Sequence, residues 1–133
     1  MRTYLMLCLL YALPSAISAA APVEIWSYAF VTTKAQEPIG GEGSAIFKSN
    51  EGGLEGPMWS TDHRLGFRLK FALNISTVTA VLTPDKDSKN AVELQGSVTQ
   101  THEPDGKGCS VQVSLTNGVH HVLLQRFVEK CAT

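Results

Sequence analysis

The chain has 133 residues, with 11 basic and 12 acidic side chains, a formal net charge of −1 and 44% hydrophobic residues. That length holds one domain with room for a real core. The near-neutral balance argues against a nucleic-acid or anionic-membrane partner engaged through bulk charge.

The chain opens with Met1-Arg2-Thr3, an apolar run from Tyr4 to Leu13, then Pro14 and the small residues Ser15 to Ala21. A basic start, a short apolar stretch and a small-residue cleavage region form the pattern of a secretory signal. The run is too short for the ~20 residues a membrane-spanning helix needs. Residues 1–20 are therefore expected to be a signal peptide, cut after Ala19 or Ala20 because a later cut would leave Pro22 first. Residues 21–133 are then one β-rich secreted domain with no membrane partner. Removing Arg2 leaves 10 basic against 12 acidic residues, a net −2. Cys8 leaves with the signal, and Cys109 and Cys131 are expected to pair in the oxidising exterior. Closing that loop stabilises by ~3 kcal/mol on the chain-entropy estimate.

Strand-length runs separated by Gly, Pro and Asp clusters then recur to the end. Val23 to Val31 is apolar on both faces, with Trp26, Tyr28 and Phe30 on one and Val23, Ile25, Ala29 and Val31 on the other. That pattern suits a strand covered on both sides. Thr32 to Gly43 reads as a polar loop centred on Glu37-Pro38-Ile39-Gly40-Gly41. Ser44 to Lys48 reads as a short run, and Asn50-Glu51-Gly52-Gly53 as a turn. Leu54 to Ser60 contains Pro57, which lacks a ladder donor, so an edge strand is expected.

Leu65, Phe67, Leu69, Phe71, Leu73 and Ile75 alternate with a polar face holding Arg64, Arg68 and Lys70. The phase then slips to Val78, Ala80 and Leu82, which requires a turn or bulge between Asn74 and Thr77. Asn74-Ile75-Ser76 is also a glycosylation sequon, and a turn suits a glycan. Pro84 to Asn90 is the next connection. Val92, Leu94 and Val98 alternate, and after a Pro-Asp-Gly loop so do Cys109, Val111, Val113 and Leu115. About eight strands with closely spaced turn signals predict a mainly β fold, an antiparallel sandwich or barrel.

Residues 119–131 admit two readings. Asn117-Gly118 is a two-residue hairpin signal. Val119, Val122, Leu123, Phe127 and Cys131 also fall at helical spacing, with Asn117 as a possible cap. In a regular hairpin about Asn117-Gly118, Cys109 faces Arg126 and Cys131 overshoots by five residues. A disulfide needs Cα atoms within ~7 Å. A helix returns the required distance, whereas a strand must bend after Phe127. The β-branched residues and the turn favour the bent strand over the C-terminal helix.

No catalytic, cofactor or metal motif stands out. His120-His121 is badly spaced for one ion, since strand neighbours point to opposite faces. With Cys109 in a disulfide, His102 and Glu103 complete no familiar zinc set. Asp85-Lys86-Asp87-Ser88-Lys89 puts a lysine where a calcium loop needs oxygen. Gly41-Glu42-Gly43-Ser44-Ala45 lacks the second glycine of a nucleophile elbow. Asp62-His63 are sequence neighbours, whereas triad members generally meet through the fold.

The candidate binding residues are aromatic or cationic. Trp59 and Met58 lie in a Gly/Pro-rich segment, Trp26, Tyr28 and Phe30 line one strand face, and Arg64, Arg68 and Lys70 form a basic stripe. Trp26-Ser27-Tyr28-Ala29-Phe30 followed by Asn50-Glu51-Gly52-Gly53-Leu54 resembles the secreted β-barrel family of the major Alternaria allergen. That resemblance implies an apoplastic protein that binds plant defence proteins or small phenolics. It covers those two segments only, and the pair of cysteines departs from that family's disulfide set, so no residue role follows from it. The expected function is a secreted, non-enzymatic binding protein, effector- or inhibitor-like, with an extracellular protein or carbohydrate partner. The alternatives are a calycin-like barrel holding a small apolar ligand, with Trp26, Tyr28 and Phe30 facing the cavity, and a small secreted hydrolase.

Overall fold

The computed structural model describes residues 22–33, 39–73 and 76–131. The signal segment 1–20, Glu37-Pro38 and the sequon residue Asn74 lie outside them. Eight strands follow in order: β1 (Val23–Thr32), β2 (Ile39–Asn50), β3 (Gly53–Trp59), β4 (Gly66–Leu73), β5 (Thr77–Pro84), β6 (Val92–His102), β7 (Cys109–Thr116) and β8 (His120–Val128). Each pairs antiparallel with the next, and β8 pairs with β1, so the sheet closes into a barrel rather than a sandwich. One short 3₁₀ turn, Ser88–Asn90, interrupts the connection between β5 and β6.

Alternation along each strand sends one set of side chains inside. The interior holds Trp26, Tyr28, Phe30, Phe47, Phe67 and Phe71 among Leu69, Leu82, Leu94, Val113 and Leu124. Trp26 and Phe47 each meet Phe71 edge-on at 5.5 Å between ring centroids. Phe30 meets Phe67 edge-on at 5.2 Å. Eight strands leave an interior just wide enough for side chains to fill, and here aromatic rings fill it.

Several connections differ from the sequence reading. The expected loop Thr32 to Gly43 is shorter, because β2 already begins at Ile39. Phe30 is paired with Gly41 and Tyr28 with Gly43, so glycines stand beside two of the three inward β1 rings, while Trp26 is paired with Ala45. A punctuation signal thus records a volume constraint. Pro57 does not mark an edge strand, since β3 pairs with β4 along Leu54 to Trp59. The β2–β3 ladder holds only three pairs, ending at Lys48 opposite Glu55, so Pro57 lies beyond it and costs no ladder bond there. Tyr28 closes the gap above, its hydroxyl accepting from the Trp59 N–H at 3.0 Å.

Across the phase slip after β4, Leu73 pairs with Val78, so β4 and β5 are consecutive antiparallel partners. The last segment is a strand, not a helix. Pairing Val122 and Leu124 inward while serving both β7 and β1 requires period two. The hairpin lies one residue later than expected: Thr116 faces His121, and Cys109 faces Val128 rather than Arg126. Asn117 Oδ1 accepts from the N–H groups of Val119 and His120, and Gly118 takes φ +93°, so Gly118-Val119 form the tip. The overshoot from Val128 to Cys131 is therefore three residues, not five. Those residues leave the strand and bring Cys131 to Cys109, with Cα atoms 5.4 Å apart.

Candidate functional site

The interior is occupied by buried core side chains, and polar contacts lie toward both barrel ends. At one end Arg126 Nη1 pairs with Glu24 Oε1 at 2.6 Å and lies 5.6 Å from the Trp26 ring centroid. The Trp26 indole N–H donates to Glu24 Oε1 at 3.0 Å. At the other, Thr32 Oγ1 and His120 Nδ1 are 2.8 Å apart. The β3–β4 loop there is shaped by Asp62, which accepts from Ser60 Oγ at 2.6 Å and from the Arg64 N–H at 3.0 Å. These bonds hold the Asp62 carboxyl below its ordinary 3.8, the Ser60 hydroxyl having the largest effect.

The outer wall is asymmetric. β5 and β6 show mainly polar residues to solvent, Thr77, Thr79, Glu93, Gln95 and Thr99, with Val81 the exposed aliphatic side chain among them. β1 and β2 instead show Val23, Ile25 and Ile46, exposed by 56%, 65% and 53%. Ile25 and Ile46 are cross-strand partners, so the two side chains sit together. With Tyr28, Ser44, Ala45, Pro57 and Trp59 they line a groove of about 370 Å³ on β1–β3. Trp59 is 42% exposed, and its ring rests against Gly66 of β4, where a Cβ would stand 2.9 Å from the ring. The indole is thus laid along the wall by the absence of a side chain beneath it. Lys48, Glu55 and Arg68 border this apolar area through their pairings with Val23, Lys48 and Pro57. An apolar patch with a polar rim is the usual form of a protein-binding surface.

The expected site residues divide between the wall and the core. Trp59 belongs to the patch. Met58, its neighbour, points inward and is fully buried, as strand alternation dictates. Trp26, Tyr28 and Phe30 are core residues, exposed by 7% or less, and Tyr28 also lines the groove. The basic stripe is broken: Arg68 and Lys70 lie on the outer face of β4, but Arg64 sits in the preceding loop. Lys70 is the cross-strand partner of Glu55 on the β3–β4 ladder. His120 and His121 diverge as adjacent strand residues must, His121 Nδ1 lying 2.9 Å from Thr116 Oγ1 on the outside.

Two features escaped the sequence reading. Val23, Ile25 and Ile46 were legible as apolar, but β1 read as covered on both sides, and its outer side is open. His102 completes no zinc set by sequence spacing, yet its Nδ1 lies 3.5 Å from both Cys109 Sγ and Cys131 Sγ. No protein-family model, no curated protein and no solved structure matches this chain.

Proposed function

We propose that this protein is a secreted binding module that engages an extracellular protein through the outer face of β1–β3. The carrying observation is the exposed cluster Ile25, Ile46 and Trp59 on a barrel whose interior is already filled. Desolvating such a cluster at ~25 cal/mol per Å² supplies binding free energy that the isolated chain leaves unused. Aliphatic side chains dominate the cluster, which suits a protein surface better than a sugar, whose hydroxyls need polar partners. Secretion is supported by the signal pattern of residues 1–20 and by a disulfide, which persists in oxidising compartments.

The reading is tested by affinity capture from extracellular extracts with the chain from Ala21 onward. The wild-type barrel should retain a protein that the Ile25→Asp/Ile46→Asp/Trp59→Ala variant loses by tenfold or more. Retention of a carbohydrate alone would move the assignment to sugar recognition, and equal capture by both barrels would refute the assigned face.

A further inference from the structure

His102 ends β6 and is the cross-strand partner of Cys109, the first residue of β7. Cys131 arrives from beyond β8 and is half-buried. Three residues from separate parts of the sequence thus converge at one barrel end. His102 Nδ1 is 3.5 Å from each sulfur, and all three donor atoms lie within 4.8 Å of one another.

We propose that this fastener has a second, reduced state in which His102, Cys109 and Cys131 bind one zinc ion. A tetrahedral zinc with Zn–S of ~2.3 Å and Zn–N of ~2.0–2.1 Å requires N···S separations of about 3.6 Å. Both N···S separations already have that length. Only the sulfurs must part, to about 3.8 Å in the same geometry. Cys109 is held by two ladders, while Cys131 lies three residues past the last strand and belongs to none. The movement therefore falls on the segment beyond β8 and leaves the barrel wall intact.

The chemistry is complete with a phosphine as reductant. A trialkylphosphine and water deliver two electrons and two protons to the S–S bond, giving two thiols and one phosphine oxide. Zinc binding then replaces both thiol protons, which pass to solvent, and takes the Nδ1 lone pair of neutral His102. Three protein ligands leave the fourth position to water or an outside ligand, and exposed His102 keeps that side open. The ion would bridge the same two chain segments as the disulfide, so the clasp would survive a change in redox surroundings.

The test is cobalt(II) titration, as a spectroscopic stand-in for zinc, of the chain from Ala21 onward after phosphine reduction. The reduced wild type should take up one equivalent, with thiolate-to-cobalt charge transfer and the visible bands of tetrahedral cobalt. His102→Ala should weaken binding at least tenfold, Cys131→Ser should abolish the charge-transfer band, and His121→Ala should change neither. The oxidised protein should stay colourless. Circular dichroism of each reduced sample is recorded alongside, and zinc should raise the melting temperature of the reduced wild type but not of His102→Ala. Equal cobalt affinity in wild type and His102→Ala would overturn the proposal. So would a reduced wild type that lacks the charge-transfer band, or that unfolds and is not restored by zinc.

Discussion

The two tryptophans show how one residue type takes opposite roles according to strand phase. Trp26 faces inward, meets Phe71 edge-on and carries Arg126 near its ring. Trp26→Ala should cost about 3–5 kcal/mol, measured by denaturant unfolding, because a large cavity opens in a packed interior. Trp59 lies on the outer wall, so Trp59→Ala should cost about 1 kcal/mol or less while weakening partner binding at least tenfold. Asp62 has a pH signature. Its folded-state pKa is depressed by Ser60 and the Arg64 N–H, so its contribution is present above the unfolded value near 3.8. It is lost as pH falls through the lower folded value. Acid unfolding curves should therefore separate wild type from Asp62→Asn above about pH 4 and converge at lower pH.

At the scale of strands, the alternating runs were readable because period-two burial leaves a direct trace in sequence. Phe67, Leu69 and Phe71 in β4, and Val113 and Leu115 in β7, are inside as their spacing implies. What misled was glycine and proline. Gly41 and Gly43 look like loop residues, yet they occupy β2, where they pair with Phe30 and Tyr28. Pro57 looks like an edge marker, yet it sits beyond the end of a three-pair ladder. Gly96 extends the same lesson: a Cβ there would stand 1.6 Å from the Ser114 carbonyl oxygen. Gly96→Ala should destabilise at the upper end of the roughly 1–3 kcal/mol expected for overpacking, with amide exchange accelerated in β6 and β7. The helical spacing in β8 was coincidental, because closure against both β7 and β1 decides its conformation. Within the candidate site, Trp59 was legible from its Gly/Pro-rich setting. Ile25 and Ile46 were not, since sequence shows that a face is apolar but not whether anything covers it.

For the whole molecule, closure and the fastener divide the work of stability. Eight paired strands leave no unpaired edge strand, and the interior is filled by aromatic rings. The Cys109–Cys131 bridge spans 22 residues and is worth about 3 kcal/mol on the chain-entropy estimate. Cys131→Ser should lower unfolding free energy by about that amount and leave the barrel spectrum of the native state unchanged, because Cys131 lies outside every strand. Under the proposed function, a filled interior and an uncovered apolar outer face assign binding to the wall rather than the lumen. The two indole N–H groups report on those two places, Trp26 from inside and Trp59 from outside. The most direct measurement is a titration of ¹⁵N-labelled protein with the captured partner, following both indole resonances. The Trp59 signal should shift on binding while Trp26 keeps its position. A shift confined to Trp26, or one produced by small apolar compounds in place of a protein, would contradict the account and place the ligand within the barrel.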